Sequence, residues 1–177
     1  MVYFDLDGVI RHLTHGLFEG KIQKWSQPLP NGGDLMEYLH ANPEILLTAP
    51  PTEFFHAIKL VKKIDIITSQ PVSWRVNTAK WIHAHFPKEL YDVKYTFVDN
   101  ADDKLKFLEN DEDLLIEDYP LFKDYSKIIL IDAPYNQDVK NPRVRVKTPL
   151  ALYKILGELN LISNHEHKLQ YVKDILN

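Results

Sequence analysis

Cysteine is absent from the 177 residues. Disulfides, zinc–thiolate sites and cysteine nucleophiles are therefore excluded. The absence fits a reducing compartment, and the expected location is the cytoplasm. No stretch approaches ~20 uninterrupted apolar residues, so no membrane span is expected. The opening Met1-Val2-Tyr3-Phe4-Asp5 has neither the basic region nor the long apolar region of a secretory signal. Positive charge is not in excess: 21 Lys and Arg stand against 25 Asp and Glu, a net charge of −4. No overall basic field draws the chain to nucleic acid or to an anionic membrane. Internal repeats and low-complexity tracts are also missing. The chain is 45% hydrophobic and 26% charged, as ordinary globular proteins are. Its length suits one α/β domain, and we read residues 1–177 as that single domain.

Short apolar, β-prone runs recur along the chain. They are Val2 to Phe4, Ile64 to Ile67, Val93 to Val98, Leu114 to Ile116 and Ile128 to Ile131. Several end in polar residues: Asp5, Thr68, Asp99, Glu117 and Asp132. Helical patterns lie between them, at Trp74 to His85, Lys104 to Leu108 and Leu150 to Leu159, with a last one at 168–176. Strands alternating with helices predict a parallel sheet flanked by helices. Ligands bind such sheets beyond the carboxyl ends of the strands, where these polar residues converge. Residues 9–60 break the alternation. They carry Pro28, Pro30, Asn31-Gly32-Gly33, Pro43 and Pro50-Pro51, with helical pieces at Asp34 to His40 and Thr52 to Lys63. This segment reads as a small cap inserted after the first strand.

The sharpest motif is Asp5-Leu6-Asp7-Gly8-Val9. Two carboxylates at i and i+2 straddle a strand end, and a glycine permits a tight turn. Asp5 suits attack on phosphorus as a phosphoryl acceptor, and Asp7 suits proton transfer to the leaving oxygen. A second acid pair, Glu117-Asp118, closes another apolar run. Asp5, a backbone carbonyl near Asp7, and Asp118 supply hard oxygen ligands of the kind Mg²⁺ takes. Thr68 and Ser69 offer hydroxyl and N–H donors for phosphate oxygens. Lys104, with Lys106 as the alternative, offers a cation to balance them. His83 and His85 stand at i and i+2, as do His165 and His167, and on a helix neither pair shares a face for a metal. Phe18, Trp25, Tyr38, Phe54 and Phe55 of the insertion read as a small core of the cap, with base stacking as the alternative. Arg143 and Arg145 alternate along an apparent strand and read as a solvated edge.

Asp5-x-Asp7-Gly8-Val9, Thr68-Ser69, Lys104 and Glu117-Asp118 resemble, in order, the four motifs of the haloacid dehalogenase superfamily. The resemblance covers residues 1 to about 147. It implies a Rossmann-like sheet, an aspartyl-phosphate mechanism and Mg²⁺ as cofactor. By position, Asp5 is the nucleophile and a metal ligand. Asp7 is the general acid/base and gives the metal its backbone carbonyl. Thr68 and Ser69 bind phosphate, Lys104 steadies the charges, and Asp118 ligates the metal. Within the superfamily the chain is most similar to the 5'(3')-deoxyribonucleotidase-like branch. The residues carrying this are Lys80-Trp81-Ile82, His85-Phe86-Pro87, Leu115 to Pro120, Asp132 to Asn136 and Arg143-Val144. The fourth motif departs from that branch by reading Glu117-Asp118 where it has two aspartates, and the second by placing Gln70 before Pro71. The expected partner is a small phosphate ester, a nucleoside monophosphate. The alternatives are a sugar phosphate, a nucleic-acid end or a non-catalytic phosphate-binding module. No membrane partner is expected, and a homodimer is left open.

Overall fold

A computed structural model describes residues 1–18 and 22–162. The helix expected at 168–176 and the His165–His167 pair lie outside the described residues. Six strands form one all-parallel sheet: β1 (Val2–Phe4), β2 (Lys63–Ser69), β3 (Asp92–Val98), β4 (Leu114–Glu117), β5 (Ile128–Ile131) and β6 (Val144–Val146). Their spatial order is β3-β2-β1-β4-β5-β6. The chain therefore runs outward from β1 in one direction and then, from β4, in the other. The carboxyl ends of β1 and β4 flank the point where the order reverses, the usual ligand crevice of a Rossmann-like sheet.

The five expected strands all form, the central ones because they are apolar and flanked by layers on both faces. Every position of β4 and β5 is buried, as a central parallel strand requires. The edge strand β3 instead exposes Asp92, Lys94 and Thr96. Alternate residues serve opposite faces. Phe4, Ile64, Ile66, Leu114, Ile116, Ile129 and Ile131 belong to the larger core, with Trp81 and Ile82 of α4 (Val72–His85) and Leu152, Tyr153 and Leu156 of α5 (Pro149–Glu158). Leu115, Ile128 and Leu130 face the other way, onto Leu108, Phe122 and Tyr125. On that second face the expected helix at Lys104 to Leu108 is a 3₁₀ helix, Ala101–Phe107.

The insertion is less separate than a cap. Among its described residues three short helices form: α1 (Leu35–Ala41), α2 (Ile45–Thr48) and α3 (Phe55–Ile58). Asp34 caps α1 by accepting from the Glu37 N–H at 3.0 Å. The helix expected over Thr52 to Lys63 shrinks to α3, because Lys63 already pairs with Asp92 as the first residue of β2. Both ends of the insertion join the main core, through Val9, Ile10, Phe54, Phe55, Ala57 and Ile58. The middle packs Leu39 and Leu46 against Trp74 of α4. Phe54 and Phe55 are thus core residues of the sheet layer, and the aromatics do not form one common cap core. No helix among the described residues is long and apolar enough to cross a membrane.

Candidate active site

Parity along the strands builds the site. Phe4 and Ile116 point into the larger core, so Asp5 and Glu117, one residue on, point to the face that carries the 3₁₀ helix. The Asp5 N–H donates to the Ile116 carbonyl at 2.9 Å, which carries the β1–β4 pairing to the strand end. From the 3₁₀ helix the Lys104 ammonium reaches both acids, donating to Asp5 Oδ1 at 2.7 Å and to Glu117 Oε2 at 2.7 Å. The Lys104 side chain is 4% exposed, whereas that of Lys106 is 77% exposed and pairs with Asp103 at the surface. Lys104 is therefore the lysine at the strand ends. Glu117 also accepts from the backbone N–H groups of Asp118 at 3.0 Å and Tyr119 at 3.1 Å. It anchors both the lysine and the loop that follows β4.

Asp118 is buried and accepts a short hydrogen bond from the Tyr135 hydroxyl. Asn136 donates to the Asp118 carbonyl at 3.0 Å and to the Ile131 carbonyl at 2.8 Å. Arg145 staples the same loop, donating to Asp132 at 2.8 Å, to the Asn136 side chain at 2.9 Å, and to the carbonyls of Asn136 and Val139 at 3.1 and 3.0 Å. Arg145 is thus bonded within the fold and is not part of a solvated edge, while Arg143 is exposed. Trp25 of the insertion meets Tyr119 and Tyr135 edge-on, with ring centroids 5.1 and 5.4 Å apart.

Gly8 is required by two constraints. Its φ is +88°, and a Cβ there would lie 1.9 Å from Asp118 Oδ2. The loop after β1 therefore passes directly against the loop after β4.

Asp5, Glu117 and Asp118 bring carboxylate oxygens within 4.8 Å of one another, all buried. The Asp7 carboxylate is not in this group; it pairs with Arg11 and Gln70 instead. Burial, followed by repulsion from Glu117, pushes the Asp5 carboxyl well above its usual range, although Lys104 opposes the shift. Burial and the nearby Asp5 push Asp118 up to about 7. Burial alone would lower Lys104, but its two carboxylate partners outweigh that and hold it above its usual value. Burial and then Asp118 raise the Tyr135 hydroxyl, which stays a donor. Three buried carboxyl groups share one ammonium, so ionising all three would leave negative charge without a partner. The donors are hard oxygens, a set that fits a divalent cation of the Mg²⁺ or Ca²⁺ class.

Of the expected phosphate-binding residues, Thr68 is buried at the carboxyl end of β2, beside β1. The Ser69 hydroxyl turns to the edge strand and donates to the Asp99 carbonyl at 3.3 Å. His85 stacks on Trp81 at 3.9 Å and His83 contacts Tyr95, so each has a structural neighbour. Sequence reasoning missed Arg11 and Gln70 around Asp7, and the joint work of Glu117. Gln70 directly follows the Thr68-Ser69 motif, and Arg11 stands four residues after Asp7; these positions are the signal they leave. No family model matches the chain, and no curated protein matches it.

Proposed function

We propose that this protein is a Mg²⁺-dependent phosphomonoesterase of the haloacid dehalogenase type, acting on a nucleoside monophosphate through an aspartyl-phosphate. The observation that carries the reading is the buried Asp5–Lys104–Glu117 triad with Asp118, at the ends of the two strands where the sheet order reverses. Structural ion pairs alone give little reason to gather three acids and one lysine in a buried crevice, since desolvation offsets much of the attraction.

In the proposed reaction an Asp5 carboxylate oxygen attacks phosphorus, and the bond from phosphorus to the ester oxygen breaks. Asp7 gives its proton to that departing oxygen. Water then attacks the phosphorus of the aspartyl-phosphate and loses a proton to Asp7. The bond from phosphorus to Asp5 breaks, and inorganic phosphate leaves. Lys104 keeps Asp5 oriented and offsets charge beside the transferring group. Asp5 and Asp118, with the Asp7 backbone carbonyl, would hold Mg²⁺, and Thr68 would meet the phosphate oxygens. When bound, the cation supplies positive charge against the carboxylates and the phosphoryl oxygens. Trp25, beside Tyr119 and Tyr135, favours an aromatic base on the substrate over a bare sugar.

The test is phosphate release from nucleoside 5'- and 3'-monophosphates, sugar phosphates and phosphorylated oligonucleotides, with Mg²⁺ or with EDTA. Mg²⁺-dependent release from mononucleotides is the expected result, and no release across the whole panel would overturn the reading. Asp5→Asn, which keeps size and removes the attacking charge, should abolish turnover while circular dichroism stays unchanged.

A further inference from the structure

Asp7 is held more closely than a loop carboxylate requires. A carboxylate offers about four lone-pair sites. Three on Asp7 are filled: Arg11 Nε donates to Oδ1 at 2.7 Å, Arg11 Nη2 to Oδ2 at 3.1 Å, and Gln70 Nε2 to Oδ2 at 2.7 Å. Arg11 is itself fixed. It is fully buried, donates to the Leu46 carbonyl at 2.7 Å and to Thr78 Oγ1 at 3.3 Å, and lies over the Trp81 ring at 5.5 Å. A tight turn brings it back to Asp7: the Arg11 N–H donates to the Leu6 carbonyl and the Gly8 N–H to the Arg11 carbonyl, each at 2.8 Å. Gln70 is buried too, and its Oε1 has no hydrogen-bond partner among the described residues. Its amide is turned so that nitrogen meets Asp7, at the expense of an unpaired buried oxygen. A buried amide oxygen without a protein partner is uncommon. Arg11 is buried in this pair while the Asp7 side chain stays 22% exposed, so the carboxylate is fixed at the edge of the crevice and not sealed inside the core.

We infer that Arg11 and Gln70 are positioning residues that leave Asp7 one free direction in which to pass a proton, toward the leaving-group oxygen. This rests on the phosphatase reading above. Arg11 is anchored on α2 through Leu46 and on α4 through Thr78, so the direction is set by the insertion and the sheet layer together. A misaimed acid slows the first step, transfer of the phosphoryl group to Asp5, only for substrates whose leaving group needs a proton, whereas the second step, in which Asp7 takes a proton from water, is common to every substrate. An alkoxide leaving from a nucleoside monophosphate needs one, and a nitrophenolate does not.

The experiment compares turnover of a nucleoside monophosphate and of p-nitrophenyl phosphate, with Mg²⁺, by wild type, Arg11→Met, Arg11→Lys and Gln70→Leu. General acid catalysis contributes about 10²–10⁴-fold, so kcat/KM on the nucleotide, which reports the steps up to departure of the leaving group, should fall about tenfold or more, with kcat/KM on the aryl ester changed less than about threefold. Arg11→Lys should recover part of the loss. Equal losses of kcat/KM on both esters, in variants that melt as wild type does, would overturn the inference and leave the phosphatase reading standing. If Arg11→Met does not fold, Gln70→Leu decides, because Gln70 has no bond to Leu46 or Thr78. Failure of wild type to turn over either ester overturns the phosphatase reading and this assignment with it.

Discussion

Glu117 accepts three hydrogen bonds, from Lys104 and from two backbone N–H groups, and Lys104 in turn holds Asp5. Removing it strands a buried ammonium beside a single acid. Glu117→Ala should therefore destabilise the protein by ~3 kcal/mol, the scale of a broken buried pair. At this chain length that lowers the melting temperature by roughly 6–12 °C, read by a thermal scan. Asp118→Asn should behave oppositely. It removes a charge from a cluster already too negative, so the metal-free protein should melt no lower than wild type near neutral pH, while stabilisation by added Mg²⁺ should vanish. A large drop for Asp118→Asn, or none for Glu117→Ala, would mean the two acids have each other's roles. Asp5, Lys104 and Asp118 were legible in the sequence because each sits at or near the end of an apolar run. Arg11 was not, because its partners Leu46 and Thr78 lie 35 and 67 residues away and meet it only in the folded chain.

Among the elements, the strands were the most readable. Leu114 to Ile116 and Ile128 to Ile131 are apolar at every position, and only a strand covered on both faces buries such a run. The helical pattern over residues 52–63 overruns α3, because the chain turns after Ile58 and reaches β2 at Lys63, which pairs with β3. The 3₁₀ form of Ala101–Phe107 likewise could not be told from an α-helix by pattern, since seven residues hold too few turns to separate the two periods. The loop after β1 was legible in type, through Gly8, but its reason was not: the glycine makes room for Asp118, on the other side of the chain reversal. Gly8→Ala tests that contact. The new Cβ would meet Asp118 Oδ2 at 1.9 Å, in a backbone conformation that side chains disfavour. Turnover and Mg²⁺ stabilisation should both collapse. The same substitution at Gly16, also at positive φ but with open space around it, should leave turnover within about twofold of wild type, since a strained surface turn costs stability and not site geometry. Equal damage at both positions would trace the effect to backbone strain alone.

For the molecule as a whole, the site is a weakness that the rest of the fold supports. Two layers of core close around strand ends that carry buried acids, and the insertion is tied into the same core at both of its ends. Folding must take Asp5 and Asp118 out of water, and both resist ionising there: burial and the neighbouring acid raise each of them, Asp118 to about 7. The sign of the consequence follows from proton counting. Between an unfolded aspartate value of about 4 and a folded value of about 7, the folded protein keeps a proton that the unfolded chain has lost, so stability falls as pH rises through that window. Above about 7 the loss from Asp118 is complete. Asp132 has the opposite shift: burial raises it, but its bonds to Arg145 and Gln137 outweigh that and lower it, so its contribution is lost only as pH falls below the unfolded value. A divalent cation at the acid cluster needs the ionised carboxylates and competes with their protons. The rise in melting temperature caused by a fixed excess of Mg²⁺ should therefore be small at about pH 5, grow through about pH 7 and then level off. Taking the difference with and without Mg²⁺ at each pH cancels every group that titrates alike in both. Asp118→Asn should flatten that curve, whereas Asp132→Asn, outside the cluster, should leave its shape intact. A Mg²⁺ effect that is independent of pH, or greatest in acid, would place the cation away from Asp5 and Asp118.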